Sequence, residues 1–176
     1  MPKAKLIIVI GQSASGKTTF VKRRFLKDND MTLNLKPFKH TTIEDDSICL
    51  LGDYTDSRRC LGTDTLSMSI INDLIEFVKG SINKYDLIIC EGDRITNAKF
   101  LQFVHDLKVE AKVYLFQCSL QESIDRRTQM GSKPSLTFVK TTQTKAQNLK
   151  PLIRQLGFEL IVRDTSNKDT GMRGLL

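Results

Sequence analysis

Gly11, Gly16, Lys17 and Thr18 stand in the spacing G-x-x-x-x-G-K-T, directly after the apolar run 6–10. The chemistry open to this spacing is anion binding. Glycines at 11 and 16 let the backbone turn where a side chain would clash, so successive N–H groups can point inward at a β-phosphate. Lys17 has the reach for β- and γ-oxygens, and the Thr18 hydroxyl can ligate a magnesium ion that bridges them. Thr18, Thr19 and Phe20 open an amphipathic helix whose N-terminus adds partial positive charge at the same spot. The expected anion cradle is therefore Gly11, Ser13, Ala14, Ser15, Gly16, Lys17, Thr18 and Thr19. Its expected occupant is a nucleoside triphosphate, ATP, with Mg2+.

Other residues could act on such a ligand. Glu91 follows a buried strand pattern at 87–90, where a carboxylate can hold the metal through water or orient a nucleophile. Asp93 lies two positions on. Arg126 and Arg127 end a helix ahead of a glycine loop, a place from which guanidinium groups can close over a triphosphate and stabilise transferred charge; they would also complement the helix dipole. Asp64, in Thr63-Asp64-Thr65, reads either as a helix N-cap or as the carboxylate that takes a proton from an acceptor hydroxyl. Asp53, Asp64, Glu91 and Asp93 all stand as candidate bases.

The elements that must position these residues follow from periodicity. Strands are expected at 6–10, 38–43, 47–51, 87–90, 111–118 and 158–162, with the acidic turn 44–46 making of the second and third a hairpin added to, or at the edge of, the main sheet. Helices are expected at 18–27, at 66–78 with Gly80 as a stop, at 97–107 capped by Asn97, and at 119–130 opened by a Ser119/Glu122 capping box. A last helical pattern runs through Thr142, Ala146, Leu149, Ile153 and Leu156 and is kinked or divided at Pro151. Apolar strands alternating with helices mean an α/β fold with a mainly parallel sheet covered on both faces, functional groups gathering at the strands' carboxyl ends. Residues 1–162 form one domain, and 163–176 read as a loosely held tail.

Composition sets outer limits. A net charge of +7 favours a polyanionic partner. The four cysteines are scattered, with no C-x-x-C pair and only His40 and His105 to help, which argues against a zinc site. No apolar run approaches the ~20 residues of a membrane span, and 6–10 is too short for a signal peptide, so the cytosol is the expected compartment.

Taken together, 11–18, 51–54, 62–68, 91–94 and Arg126-Arg127 resemble the bacteriophage phosphate-loop kinases that act on 5-hydroxymethyluracil in DNA during thymidine hypermodification. The resemblance implies a nucleotide-kinase-like three-layer sandwich of the P-loop NTPase class. It implies transfer of a γ-phosphoryl group to the base's hydroxymethyl group, with double-stranded DNA as partner. Lys17 and Thr18 become ligands of ATP and magnesium, and Lys17, Asp64, Glu91, Arg126 and Arg127 the catalytic set. Asp53, Tyr54, Arg58, Asp64, Glu91, Asp93 and Arg94 fall on the acceptor side, where Tyr54 and Phe38 are the rings that could stack on a flipped base. The alternative acceptor is a free nucleoside or nucleotide.

Overall fold

The computed structural model describes residues 3–26, 31–43, 46–55, 61–133 and 135–166. Strand β1 (Lys5–Gly11) is the apolar run of the sequence lengthened by one residue at each end, and it leads through the glycine loop into α1 (Lys17–Phe25). Strands β2 (Met31–Asn34), β3 (His40–Ile43) and β4 (Ile48–Leu51) follow, then a 3-10 turn at Thr63–Thr65 and α2 (Ile71–Ser81). The chain continues as β5 (Leu87–Glu91), α3 (Ala98–Asp106), β6 (Ala111–Gln117), α4 (Leu120–Gln129), α5 (Leu136–Asn148), α6 (Lys150–Gln155) and β7 (Glu159–Asp164).

The seven strands form one mixed sheet in the order β2-β3-β4-β5-β1-β6-β7. From β4 to β7 every neighbouring pair is parallel, while β2 and β3 are antiparallel additions. Alternation along the strands sends Leu6, Ile8, Ile10, Ile88, Cys90, Val113 and Leu115 to one face, against Leu74 and Val78 of α2, Phe100, Leu101 and Val104 of α3, and Ile153 of α6. Val9, Ile89 and Phe116 project to the other face, against Phe20 and Val21 of α1. This is an α/β architecture with helices on both sides of a mostly parallel sheet. Cys49, Cys90 and Cys118 are free thiols packed in the interior, and burial pushes Cys49 up to about 12.

Several expectations change. The two strands of the expected hairpin pair antiparallel, with residues 44 and 45 of its turn outside the described residues, and its second strand joins the sheet by pairing parallel with β5. The added edge is β2, which no sequence signal announced. The helix expected from Leu66 starts at Ile71, because the preceding turn is drawn onto the end of β5: Thr63 Oγ1 donates to Glu91 O at 2.8 Å. Gly80 lies inside α2 and does not end it. Ser119 caps α4 through Glu122 N, but Glu122 turns to Arg126, so only half of the capping box forms. Pro151 sits in the first turn of α6, where its missing N–H costs nothing, and divides that helix from α5. Strand β7 reaches Asp164, into the segment assigned to the tail, and Thr165 N donates to Gln117 O at 2.8 Å; residues 167–176 lie outside the described residues. No helix among the described residues is long and apolar enough to cross a membrane.

The entry to the loop is sterically tight. Gly11 has φ +146°, and a Cβ there would lie 2.1 Å from Phe116 O of the paired strand. Gly11→Ala should therefore destabilise the fold by more than about 2 kcal/mol, read as a lower urea midpoint at unchanged slope.

Candidate functional site

The carboxyl ends of β1, β5 and β6 meet at one rim because Val9 registers with Glu91 and Gly11 with Phe116. The loop between β1 and α1 turns through Ala14 (φ 55°) and Gly16 (φ 94°), left-handed positions that let consecutive peptide N–H groups share a concavity. Lys17 is buried and folds over its own loop, donating from Nζ to Gly11 O at 3.1 Å and to Gln12 O at 2.7 Å. Ser15 Oγ also donates to Gln12 O, at 2.8 Å. Ser13 N donates to Thr142 Oγ1 of α5 at 3.2 Å. Thr18 and Thr19 occupy the first turn of α1, the former half-buried and facing β5, the latter exposed.

Glu91 is the electrostatic centre. It is 1% exposed, yet its side chain has two donors: Thr18 Oγ1 reaches Oε1 at 3.2 Å and Tyr54 Oη reaches Oε2 at 3.0 Å. Burial pushes its carboxyl from the ordinary 4.5 to about 7, against the pull of the Lys17 ammonium. The nearby Asp64 charge adds to the rise, and the bonds from Tyr54 and Thr18 oppose it. A hydroxyl and a carboxylate set side by side are hard oxygen donors of the kind Mg2+ takes, and that ion keeps most of its shell as water. Thr18 and Glu91 are the pair that could hold it; among the described residues no cluster of three or more His, Cys, Asp or Glu offers a fuller cage.

The turn at Thr63–Thr65 stands directly on this carboxylate. Gly62 (φ +65°) is required there, since a Cβ would lie 2.3 Å from Glu91 Oε2 and 2.8 Å from Tyr54 Oη. Asp64 is half-buried and caps no helix: its Oδ1 accepts from Asp93 N at 2.8 Å. Asp93 in turn points away from Glu91, its Oδ1 meeting Lys145 Nζ of α5 at 2.9 Å and its Oδ2 lying 3.8 Å from the Arg94 guanidinium. Arg94 Nε donates to Leu66 O at 3.2 Å, so it braces the far end of the same turn.

The other acceptor-side candidates have different surroundings. Asp53 is buried; its Oδ1 accepts from Thr55 N and Thr55 Oγ1, and its Oδ2 lies 3.7 Å from Lys39 Nζ. Tyr54 is buried under the turn with its phenol on Glu91, and Phe38 is buried against His40 and Phe77. Neither ring presents a face on which a base could stack. Arg58 lies outside the described residues.

The two arginines of α4 part company. Arg127 reaches the loop, with Nη1 donating to Ser13 Oγ and Nη2 to Ser132 Oγ at 3.0 Å, and its guanidinium stacks 5.0 Å from the centre of the half-exposed Phe138 ring. Arg126 lies lower, bonded to Glu122 Oε1 at 2.8 Å, to Ala14 O at 3.2 Å and to Thr165 Oγ1 at 3.0 Å. Thr63, Lys145 and Thr165 were not among the expected residues. A threonine or lysine in a polar segment carries no local mark of a partner far away in the chain.

No family model matches the chain, and no curated protein matches it. The geometry therefore stands by itself: a glycine loop turned through left-handed positions, a buried lysine, a hydroxyl beside a carboxylate and a second carboxylate on the neighbouring turn. Such a set can bind a polyphosphate and its metal and can accept a proton next to them.

Glu91 makes stability depend on pH. Between 4.5 and about 7 the folded protein keeps a proton that the unfolded chain has released, so stability falls as pH rises through that window and levels off above it. Glu91→Gln, which mimics the protonated acid, should melt higher than the wild type at pH 8, by up to about 3 kcal/mol of stability. The gain should vanish below pH 4.5, as scanning calorimetry at both pH values can check.

Proposed function

We propose that the protein is a magnesium-dependent kinase that transfers the γ-phosphoryl group of ATP to the hydroxymethyl group of 5-hydroxymethyluracil in double-stranded DNA. The observation that carries this reading is the Thr18–Glu91 contact at 3.2 Å beside the buried Lys17, with Asp64 across the Gly62 turn. The loop amides and Lys17 would bind the β- and γ-phosphates. Thr18, with Glu91 through water, would hold magnesium, which supplies charge neutralisation on the bridging oxygens.

The acceptor then lies on the Asp64 side. Its hydroxyl oxygen forms a bond to the γ-phosphorus as the bond from that phosphorus to the β–γ bridging oxygen breaks, and ADP leaves with the electron pair. The hydroxyl proton passes to the Asp64 carboxylate and from there to water. Arg127, which donates to Ser13 Oγ in the loop, would balance the charge on the transferred group. DNA as the acceptor draws on the net charge of +7 and on the resemblance of 62–68 and 91–94 to the phage kinases. A second reading, a kinase of free nucleosides or nucleotides, draws on the burial of Tyr54 and Phe38, which leaves neither ring to hold an extruded base.

Labelled ATP with magnesium, offered hydroxymethyluracil DNA, ordinary DNA and free nucleosides, tests both. Label on the modified DNA alone supports the first reading, label on free nucleosides alone replaces it with the second, and label on none refutes the kinase. Lys17→Ala should lower transfer about a thousandfold. Asp64→Asn should lower it between about a hundredfold and ten-thousandfold with little change in nucleotide affinity. A DNA acceptor should also lose affinity steeply as salt rises.

A further inference from the structure

Every carbonyl of the loop from Gly11 to Gly16 has a donor within the protein. Lys17 takes Gly11 O and Gln12 O, and Phe20 N takes Gly16 O at 3.0 Å. The three between them are held from outside the loop. Ser123 Oγ of α4 donates to Ser13 O at 2.7 Å, Arg126 Nη1 to Ala14 O at 3.2 Å, and Thr165 Oγ1, just past β7, to Ser15 O at 2.9 Å. The donors are themselves joined. Arg126 donates to Thr165 at both its hydroxyl and its carbonyl, is steadied by Glu122, and Thr165 N is anchored on Gln117 O at the end of β6.

In a trans peptide the C=O and N–H point in opposite directions. Carbonyls 13, 14 and 15, held on the α4–β7 side, therefore turn the N–H groups of Ala14, Ser15 and Gly16 towards the opposite, inner side. An anion nest loses affinity when its amides must be reoriented on binding, and it gains when they are fixed beforehand.

We propose that Ser123, Arg126 and Thr165 form a clamp that presets the amides of residues 14 to 16 for a polyphosphate, with Thr165 as the positioning residue that closes it. Arg126 then acts through the loop backbone, and Arg127 is the arginine that faces the ligand. The proposal rests on the anion-binding half of the reading above and is independent of phosphoryl transfer.

Thr165 allows a clean test because it carries no charge: an effect of its hydroxyl on anion affinity is not lost Coulomb attraction. Thr165→Val removes the donor to Ser15 O and the hydroxyl acceptor of Arg126 Nη1 at nearly constant volume and keeps the carbonyl that accepts from Arg126 Nη2, while Thr165→Ser keeps all three. Binding of inorganic pyrophosphate and of magnesium ATP to the full-length variants is measured by titration calorimetry, with melting temperature alongside. Thr165→Val should bind pyrophosphate about fivefold to tenfold more weakly, as expected for the one hydrogen bond to the loop that it loses, and Thr165→Ser should stay within about twofold of the wild type. Ser123→Ala, which removes the donor to Ser13 O, should weaken binding similarly and serves if the valine variant does not fold. Wild-type affinity in folded Thr165→Val or Ser123→Ala, or a serine variant as weak as the valine one, overturns the clamp while leaving the anion site intact. A wild-type protein that binds neither pyrophosphate nor ATP overturns the anion site and the clamp together.

Discussion

The parallel pairing of β1 with β5 on one side and β6 on the other is the constraint from which the rest of the site follows. Parallel ladders align strand ends of the same polarity, so one register delivers Gly11, Glu91 and Gln117 to one rim. Residues separated by most of the chain are thereby brought within hydrogen-bonding range. The apolar faces of α1 on one side and of α2, α3 and α6 on the other hold that register, since a slip by one residue would exchange the two faces of β1.

Within the rim, one buried carboxylate organises its neighbours. An ionised Glu91 in this position would be costly without donors and a cation nearby, and Thr18, Tyr54 and Lys17 surround it accordingly. The Thr63–Thr65 turn closes the remaining side and sets Asp64 next to it. The two carboxylates differ in surroundings: Glu91 is sealed and raised towards neutrality, whereas Asp64 is half-exposed and bonded to a backbone N–H. Groups of one chemical type placed in unlike environments are suited to unlike tasks.

The central features were legible in the sequence because they are local. The apolar run, the glycine spacing and the helix start needed no distant partner to be recognised, and the same holds for Asn97 and Ser119, whose capping bonds to Phe100 N and Glu122 N form within one turn. What stayed hidden depends on tertiary contact. Thr63-Asp64-Thr65 has the composition of a helix cap, but its hydrogen bonds to the end of β5 outcompete the capping geometry and delay α2 to Ile71. Tyr54, an aromatic residue in a polar stretch, reads like an exposed platform and is instead buried on Glu91. Strand β2 is short and half-exposed, with no alternation to mark it. Thr165 finds its partner in Ser15, 150 positions earlier in the chain.

The folded-back Lys17 has a thermodynamic meaning of its own. Its ammonium rests on Gly11 O and Gln12 O, out of solvent. Its dehydration therefore belongs to the free energy of folding. The two backbone carbonyls stand where water would otherwise hold the charge, so the position of this cation is set by the fold of the loop itself.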